Sequence, residues 1–185
     1  VSHPVCPWWV GYILLIPFRK FAHHPQKILN RFVQPGMTVL EAGPGMGYFT
    51  LPLARMVEKH GRVISVDVQE KMIDKLRQRA QKAGLLERID ARVCTAKSLL
   101  ISDIAGEVDF VLAFAMIHEV PDQHNLFREF HEALRPGGLI LISEPDGHVT
   151  STAFAETEAV ATHKGFEVVE RLQIKKSMSV LMKKN

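Results

Sequence analysis

Gly43, Gly45 and Gly47 follow the strand-like run Val39 to Ala42 and stand just ahead of Tyr48, Phe49 and Thr50. Glycines remove side chains where a backbone must approach a ligand, and a helix that follows them offers unpaired N–H groups. The chemistry of such a loop is the cradling of a nucleotide-like molecule, and its spacing narrows the choice. A dinucleotide fingerprint reads G-x-G-x-x-G. Here the loop is G-x-G-x-G, and the third glycine of the dinucleotide pattern falls on Tyr48, which disfavours a pyrophosphate cradle of the NAD type. Asp67 ends the run Val63 to Asp67, twenty positions past Gly47. A carboxylate there accepts from both hydroxyls of a ribose, where an arginine would suggest a phosphate. In a purely structural role the same Asp caps the next helix.

Two more apolar runs end in titratable side chains. Val108 to Phe114 leads into Ala115, Met116, Ile117, His118 and Glu119, and Leu141 to Ser143 leads into Glu144, Pro145, Asp146, Gly147 and His148. Histidine is the side chain best suited to take a proton near neutral pH. His118, Glu119 and His148 are therefore candidates for a general base or for polar contacts to a substrate; bracing a loop is the plainer role for each. Cys94 reads as a small buried residue rather than a reactive thiol. The chain has nine histidines but no paired spacing such as H-E-x-x-H, so no metal site is expected.

These residues need strands and helices to position them. Strands are expected over 38–42, 63–68, 89–93, 108–114 and 139–143, with helices over 48–59, 70–83 and 122–134, and Pro136-Gly137-Gly138 turning the last helix into its strand. Such alternation is the pattern of a parallel sheet covered on both faces. The helix from Glu70 places Met72, Leu76, Ala80 and Ala83 along one face. A helix over 153–163 and strands over 167–175 and 178–183 finish the chain, and the short connection between those strands permits only antiparallel pairing.

With 46% hydrophobic and 23% charged residues, the 185-residue chain suits one globular domain. Its net charge of +3 is scattered rather than gathered into a nucleic-acid stripe. Two cysteines, Cys6 and Cys94, make neither a disulfide scaffold nor a four-thiolate zinc site, and a reducing cytoplasm is the simplest setting. The apolar run Trp8 to Phe18 is too short to span a membrane and carries its positive charge on the wrong side for a signal peptide. An exposed patch of this kind favours a lid, a homodimer contact or a membrane surface.

Glu41 stands two residues ahead of Gly43, and with Asp67 it makes the region of about 26–184 resemble the class I S-adenosylmethionine (SAM) dependent methyltransferases. Among them it resembles the small, single-domain ubiquinone/menaquinone-type group. The resemblance implies a Rossmann-like α/β sandwich with a seven-stranded, mostly parallel sheet of order 3-2-1-4-5-7-6 closed by an antiparallel strand. It implies SAM as cofactor and S-adenosylhomocysteine as product. Glu41, Gly43, Gly45 and Gly47 would hold the methionyl part, Asp67 and Val68 the ribose, and Thr95 and Ala96 the adenine, with Phe114 completing the set. His118, Glu119 and His148 would position or deprotonate a small-molecule acceptor. The family often carries Gly-Asp-Ala where this chain has Cys94-Thr95-Ala96, so the acid that contacts the adenine amino group is missing. The Asn/Asp-Pro-Pro-aromatic tetrad of amino-group methyltransferases and the metal-binding acids of the catechol type are also missing. Residues 1–25 are expected to form a lid, and residues 26–185 the cofactor-binding domain. Two other classes stay open: a SAM-binding protein that transfers nothing, and an RNA methyltransferase, whose binding would weaken steeply with salt.

Overall fold

The central strands are apolar along nearly their whole length, as strands covered on both faces must be. The computed structural model describes residues 23–185 and gathers seven strands into one sheet: β1 (Thr38–Ala42), β2 (Arg62–Asp67), β3 (Ile89–Val93), β4 (Val108–Phe114), β5 (Leu134–Pro145), β6 (Phe166–Arg171) and β7 (Ser177–Lys184). Their order is β3-β2-β1-β4-β5-β7-β6, as the resemblance implied. Strands β1 to β5 run parallel, and β7 lies antiparallel to both β5 and β6. Among the described residues five helices accompany them: α1 (Pro25–Leu29), α2 (Thr50–Met56), α3 (Glu70–Lys82), α4 (Gln123–Ala133) and α5 (Ser151–His163).

The period of two in β4 divides the core. Phe110, Leu112 and Phe114 join Val39, Phe49, Leu53, Ile73 and Leu76 on the side of α2 and α3. Val111 and Ala113 join Leu40, Phe127, Phe130 and Phe154 on the side of α4 and α5. Helix α4 begins where Asp122 Oδ1 accepts from the Asn125 N–H at 2.9 Å, and α5 where Thr150 Oγ1 accepts from Ala153 N–H at 3.2 Å. Both are N-caps that satisfy otherwise orphaned donors.

Several boundaries differ from expectation. The helix after the glycine loop starts at Thr50, because residues 45–49 are taken up in the loop itself. Strand β5 starts at Leu134 rather than 139: Leu134 is already extended and pairs with Val108. The register shift that follows absorbs Pro136 and Gly137 inside the strand, where Gly137 has φ +73°. Strand β6 stops at Arg171, and β7 runs from Ser177 to Lys184. On α3 the buried face comprises Met72, Ile73, Leu76 and Ala80, with Ala83 exposed past its end.

The homodimer expected through an N-terminal apolar segment is corrected. Among the described residues no helix is long and apolar enough to cross a membrane or to present such a segment. Trp8 to Phe18, on which that expectation and most of the lid rested, lie outside the described residues.

Phe127 is fully buried, with ring contacts to Phe130 at 6.0 Å and Phe166 at 6.2 Å. Phe127→Ala leaves a cavity between α4 and the sheet, and urea denaturation should register a loss of about 3–5 kcal/mol.

Candidate active site

In an open parallel sheet the carboxyl ends of the strands converge on one edge, where a crevice forms. Here a cleft of about 980 Å³, counting its part open to solvent, runs along that edge. Its walls are Gly43 and Gly45 after β1, Asp67 and Val68 at the end of β2, Thr95 and Ala96 after β3, and Ala115, Met116 and Glu119 after β4. Six of the nine expected cofactor residues thus meet in one cavity, with Glu119 across from them.

The three glycines have different reasons to be glycine. Gly43 (φ +70°) would place a Cβ 2.9 Å from Met116 Cβ, and Gly47 (φ +85°) would place one 2.5 Å from Leu76 Cδ1. Both positions are closed by the protein's own packing. Gly45 (φ +54°) has nothing within 4 Å of its notional Cβ, although it lines the cleft. Its open side is space a ligand can fill, while its positive φ disfavours a side chain.

Asp67 is 9% exposed, and burial pushes its carboxyl up to about 6 from 3.8, against hydrogen bonds from the Gln69, Gly45 and Val68 backbones and with a smaller upward push from the Glu119 charge. The Gln69 N–H donates to Oδ1 at 2.9 Å. The acid therefore ties the glycine loop to the end of β2 while standing in the cleft. Glu41 lies beneath the loop, 3% exposed, and its Oε2 accepts from Thr50 Oγ1 and, at 3.1 Å, from Ser65 Oγ. It does not line the cleft. Nor does Phe114, whose strand face turns it toward Phe49 at 4.6 Å and His23 at 5.0 Å.

The Thr95 hydroxyl closes a local turn, accepting from Ser98 N–H at 3.0 Å and Lys97 N–H at 3.3 Å and donating to Ser98 O at 3.2 Å. Glu129 of α4, 8% exposed, secures the same turn by accepting from Ser98 Oγ at 2.6 Å and Leu99 N–H at 3.0 Å. Nothing in a sequence pattern links Glu129 to a turn thirty residues earlier.

On the other side of the cleft, Ala115 holds φ +57°, a conformation that non-glycine residues rarely adopt and that clusters at functional sites. The chain then makes a single 3-10 turn, Ile117–Glu119. Glu144, 2% exposed at the end of β5, grips this turn. Its Oε1 accepts from Met116 N–H at 3.2 Å and Ile117 N–H at 2.9 Å, and its Oε2 meets Nδ1 of His118. The His118 hydrogen bond to Glu144 raises the ring's pKa, outweighing burial, with the charges of Glu144 and Glu119 adding to the rise. His118 Nε2 faces Glu119 Oε1 at 3.9 Å, and the exposed His148 packs edge-on against the ring with centroids 4.9 Å apart. All three candidates for acceptor chemistry therefore meet at one point of the rim. Glu144 was visible in the sequence as a polar residue at a strand end, but its partner is 26 residues away. Among the described residues no group of acids, histidines and cysteines is arranged to hold a metal ion.

The model of a methyltransferase domain family matches residues 33–185. The chain belongs to that family. This methyltransferase domain is 30% identical to an arsenite methyltransferase of Halobacterium salinarum over 74% of its own length and 39% of the relative's. It is 29% identical to a ubiquinone/menaquinone biosynthesis C-methyltransferase of Hydrogenovibrio crunogenus over 60% of its length and 43% of the relative's. The chain thus spans about two fifths of these curated relatives. A crystal structure of a SAM dependent methyltransferase from Aquifex aeolicus superposes with a TM-score of 0.87 at 22% identity, covering 97% of this chain and 99% of that one. The domain is of the class I SAM-dependent type. The residues present fit the cofactor the family implies: Gly45 leaves an open side facing the cleft, and a buried carboxylate stands beside it.

A carboxyl raised from 3.8 to about 6 carries a folding penalty when ionised of about 3 kcal/mol. Stability tied to this group is fully present below pH 3.8 and is lost as pH rises through about 6. Asp67→Asn removes the ionised form, so denaturation at pH near 8 should show a more stable protein by up to about 3 kcal/mol, with the gain gone below pH near 4.

Proposed function

We propose that this domain transfers a methyl group from SAM to a small-molecule acceptor in the cytoplasm. The observation that carries the reading is the single cleft in which an open glycine and a buried ribose-type acid face Glu119, with His118 and His148 grouped behind Glu119 outside the cleft lining. SAM, when bound, supplies an activated methyl on a sulfonium, so the protein's tasks are binding, alignment and exclusion of water. Gly43, Gly45 and Gly47 shape the loop that receives the methionyl part, with Glu41 bracing it from below. Asp67 accepts from the ribose hydroxyls, and Val68 flanks them. Ala96 offers backbone to the adenine, while Thr95 keeps the turn in shape through its own hydroxyl. Phe114 supports the wall from the core side. His118, Glu119 and His148 handle the acceptor. Likeness to the ubiquinone/menaquinone C-methyltransferase supports a small-molecule acceptor over a nucleic acid, as does the scattered charge.

Calorimetric titration with SAM and S-adenosylhomocysteine, with NAD as control, tests this directly. Micromolar binding of the first two and none of NAD is expected, with at least tenfold weakening in Asp67→Ala; binding of NAD alone, or of nothing, overturns the reading. Because the ribose hydroxyls need an ionised acceptor, SAM affinity should be flat above about pH 7 and fall by up to tenfold per unit as pH drops through about 6.

A further inference from the structure

We propose that Glu144 is a positioning residue that holds His118 in the one tautomer able to take a proton from the acceptor, an inference that rests on the methyl-transfer reading above. A carboxylate only accepts hydrogen bonds, so the ring nitrogen against it must carry the proton. Glu144 Oε2 meets Nδ1, which makes Nδ1 the N–H and leaves Nε2 as the bare, basic nitrogen. The other oxygen is committed to the Met116 and Ile117 N–H groups, so the acid is anchored to the turn that carries His118 and cannot swing away from the ring without releasing two backbone donors. The charged and titratable groups that face the ring are Glu144 from β5, Glu119 from the same turn and His148 from the loop after β5. Nε2 points at the Glu119 carboxylate, 3.9 Å away, and Glu119 lines the cleft. The imidazolium formed when a proton arrives on Nε2 would therefore lie between two carboxylates, Glu144 at Nδ1 and Glu119 at Nε2.

This arrangement suits an acceptor whose attacking atom X bears a hydrogen. The X–H proton passes to Nε2, the X–H electron pair forms the bond to the methyl carbon, and the pair of the broken C–S bond stays on sulfur. His118 then returns the proton to solvent at the rim, where His148 is exposed.

Long-range proton–nitrogen NMR of the full chain, with the His118 signals assigned through His118→Gln, reads the tautomer and the titration midpoint without any acceptor. The wild-type ring is expected to be Nδ1–H when neutral. Glu144→Gln keeps an amide oxygen for the Met116 and Ile117 N–H groups but turns an NH2 toward Nδ1, so the proton must move to Nε2. The midpoint should then fall by about one pH unit as the negative charge is lost. Glu144→Asp, which retains the charge, should restore the Nδ1–H form. An Nε2–H ring in the wild type overturns the proposal without recourse to any variant; so does a Glu144→Gln ring with unchanged tautomer and midpoint, which would leave Glu144 a brace for the turn. An Nδ1–H ring in a wild-type protein that fails to bind SAM would instead sink the methyl-transfer reading and leave the grip of Glu144 on His118 standing.

Discussion

A carboxylate taken out of water must find donors, and in this fold the donors available at the carboxyl edge of the sheet are the backbone N–H groups and hydroxyls of the loops that build the cleft. The buried carboxylates among the described residues are Glu41, Asp67, Glu129 and Glu144, and all four obey this constraint. Asp67 collects the glycine loop, Glu129 the turn after β3, Glu144 the turn after β4, and Glu41 the first turn of α2 through Thr50. The loops are held where they are because each satisfies an acid that could not otherwise be buried.

The apolar core makes this possible by fixing the strand ends. Because β4 puts Phe110, Leu112 and Phe114 on one side and Val111 and Ala113 on the other, the sheet is clamped between two helical layers. Its central strands therefore finish together, on the edge where the acids lie. Glu41 shares the face of Val39 and sits under the glycine loop, whereas Asp67 and Glu144 stand at strand ends and turn to the loops beyond them.

Alternating periodicity was enough to read the order of strands and helices from the sequence, and the glycine spacing with Asp67 located one half of the cleft. Strand order came from family resemblance, since nothing in a linear pattern says that β4 lies beside β1. Four features were hidden for definite reasons. The early start of β5 depends on Leu134 pairing with Val108, a tertiary contact that overrides the turn signal of Pro136-Gly137-Gly138. Phe114 was placed beside the ligand, but a strand buried on both faces shows no polar alternation from which to tell which side a residue takes. The roles of Glu129 and Glu144 arise from partners about thirty residues away, and the spent hydroxyl of Thr95 is visible only once the turn is closed.

The differing environments of Gly43, Gly45 and Gly47 bear on how such domains diverge. Two of the three are demanded by contacts within the chain, with Met116 and with Leu76, and only Gly45 faces open space. A descendant that had abandoned its ligand would still be under selection to keep Gly43 and Gly47 simply to fold. Most of the signature would then persist as a fossil of packing, and the fate of Gly45 and Asp67 would be the more telling record of whether a lineage still uses its cleft.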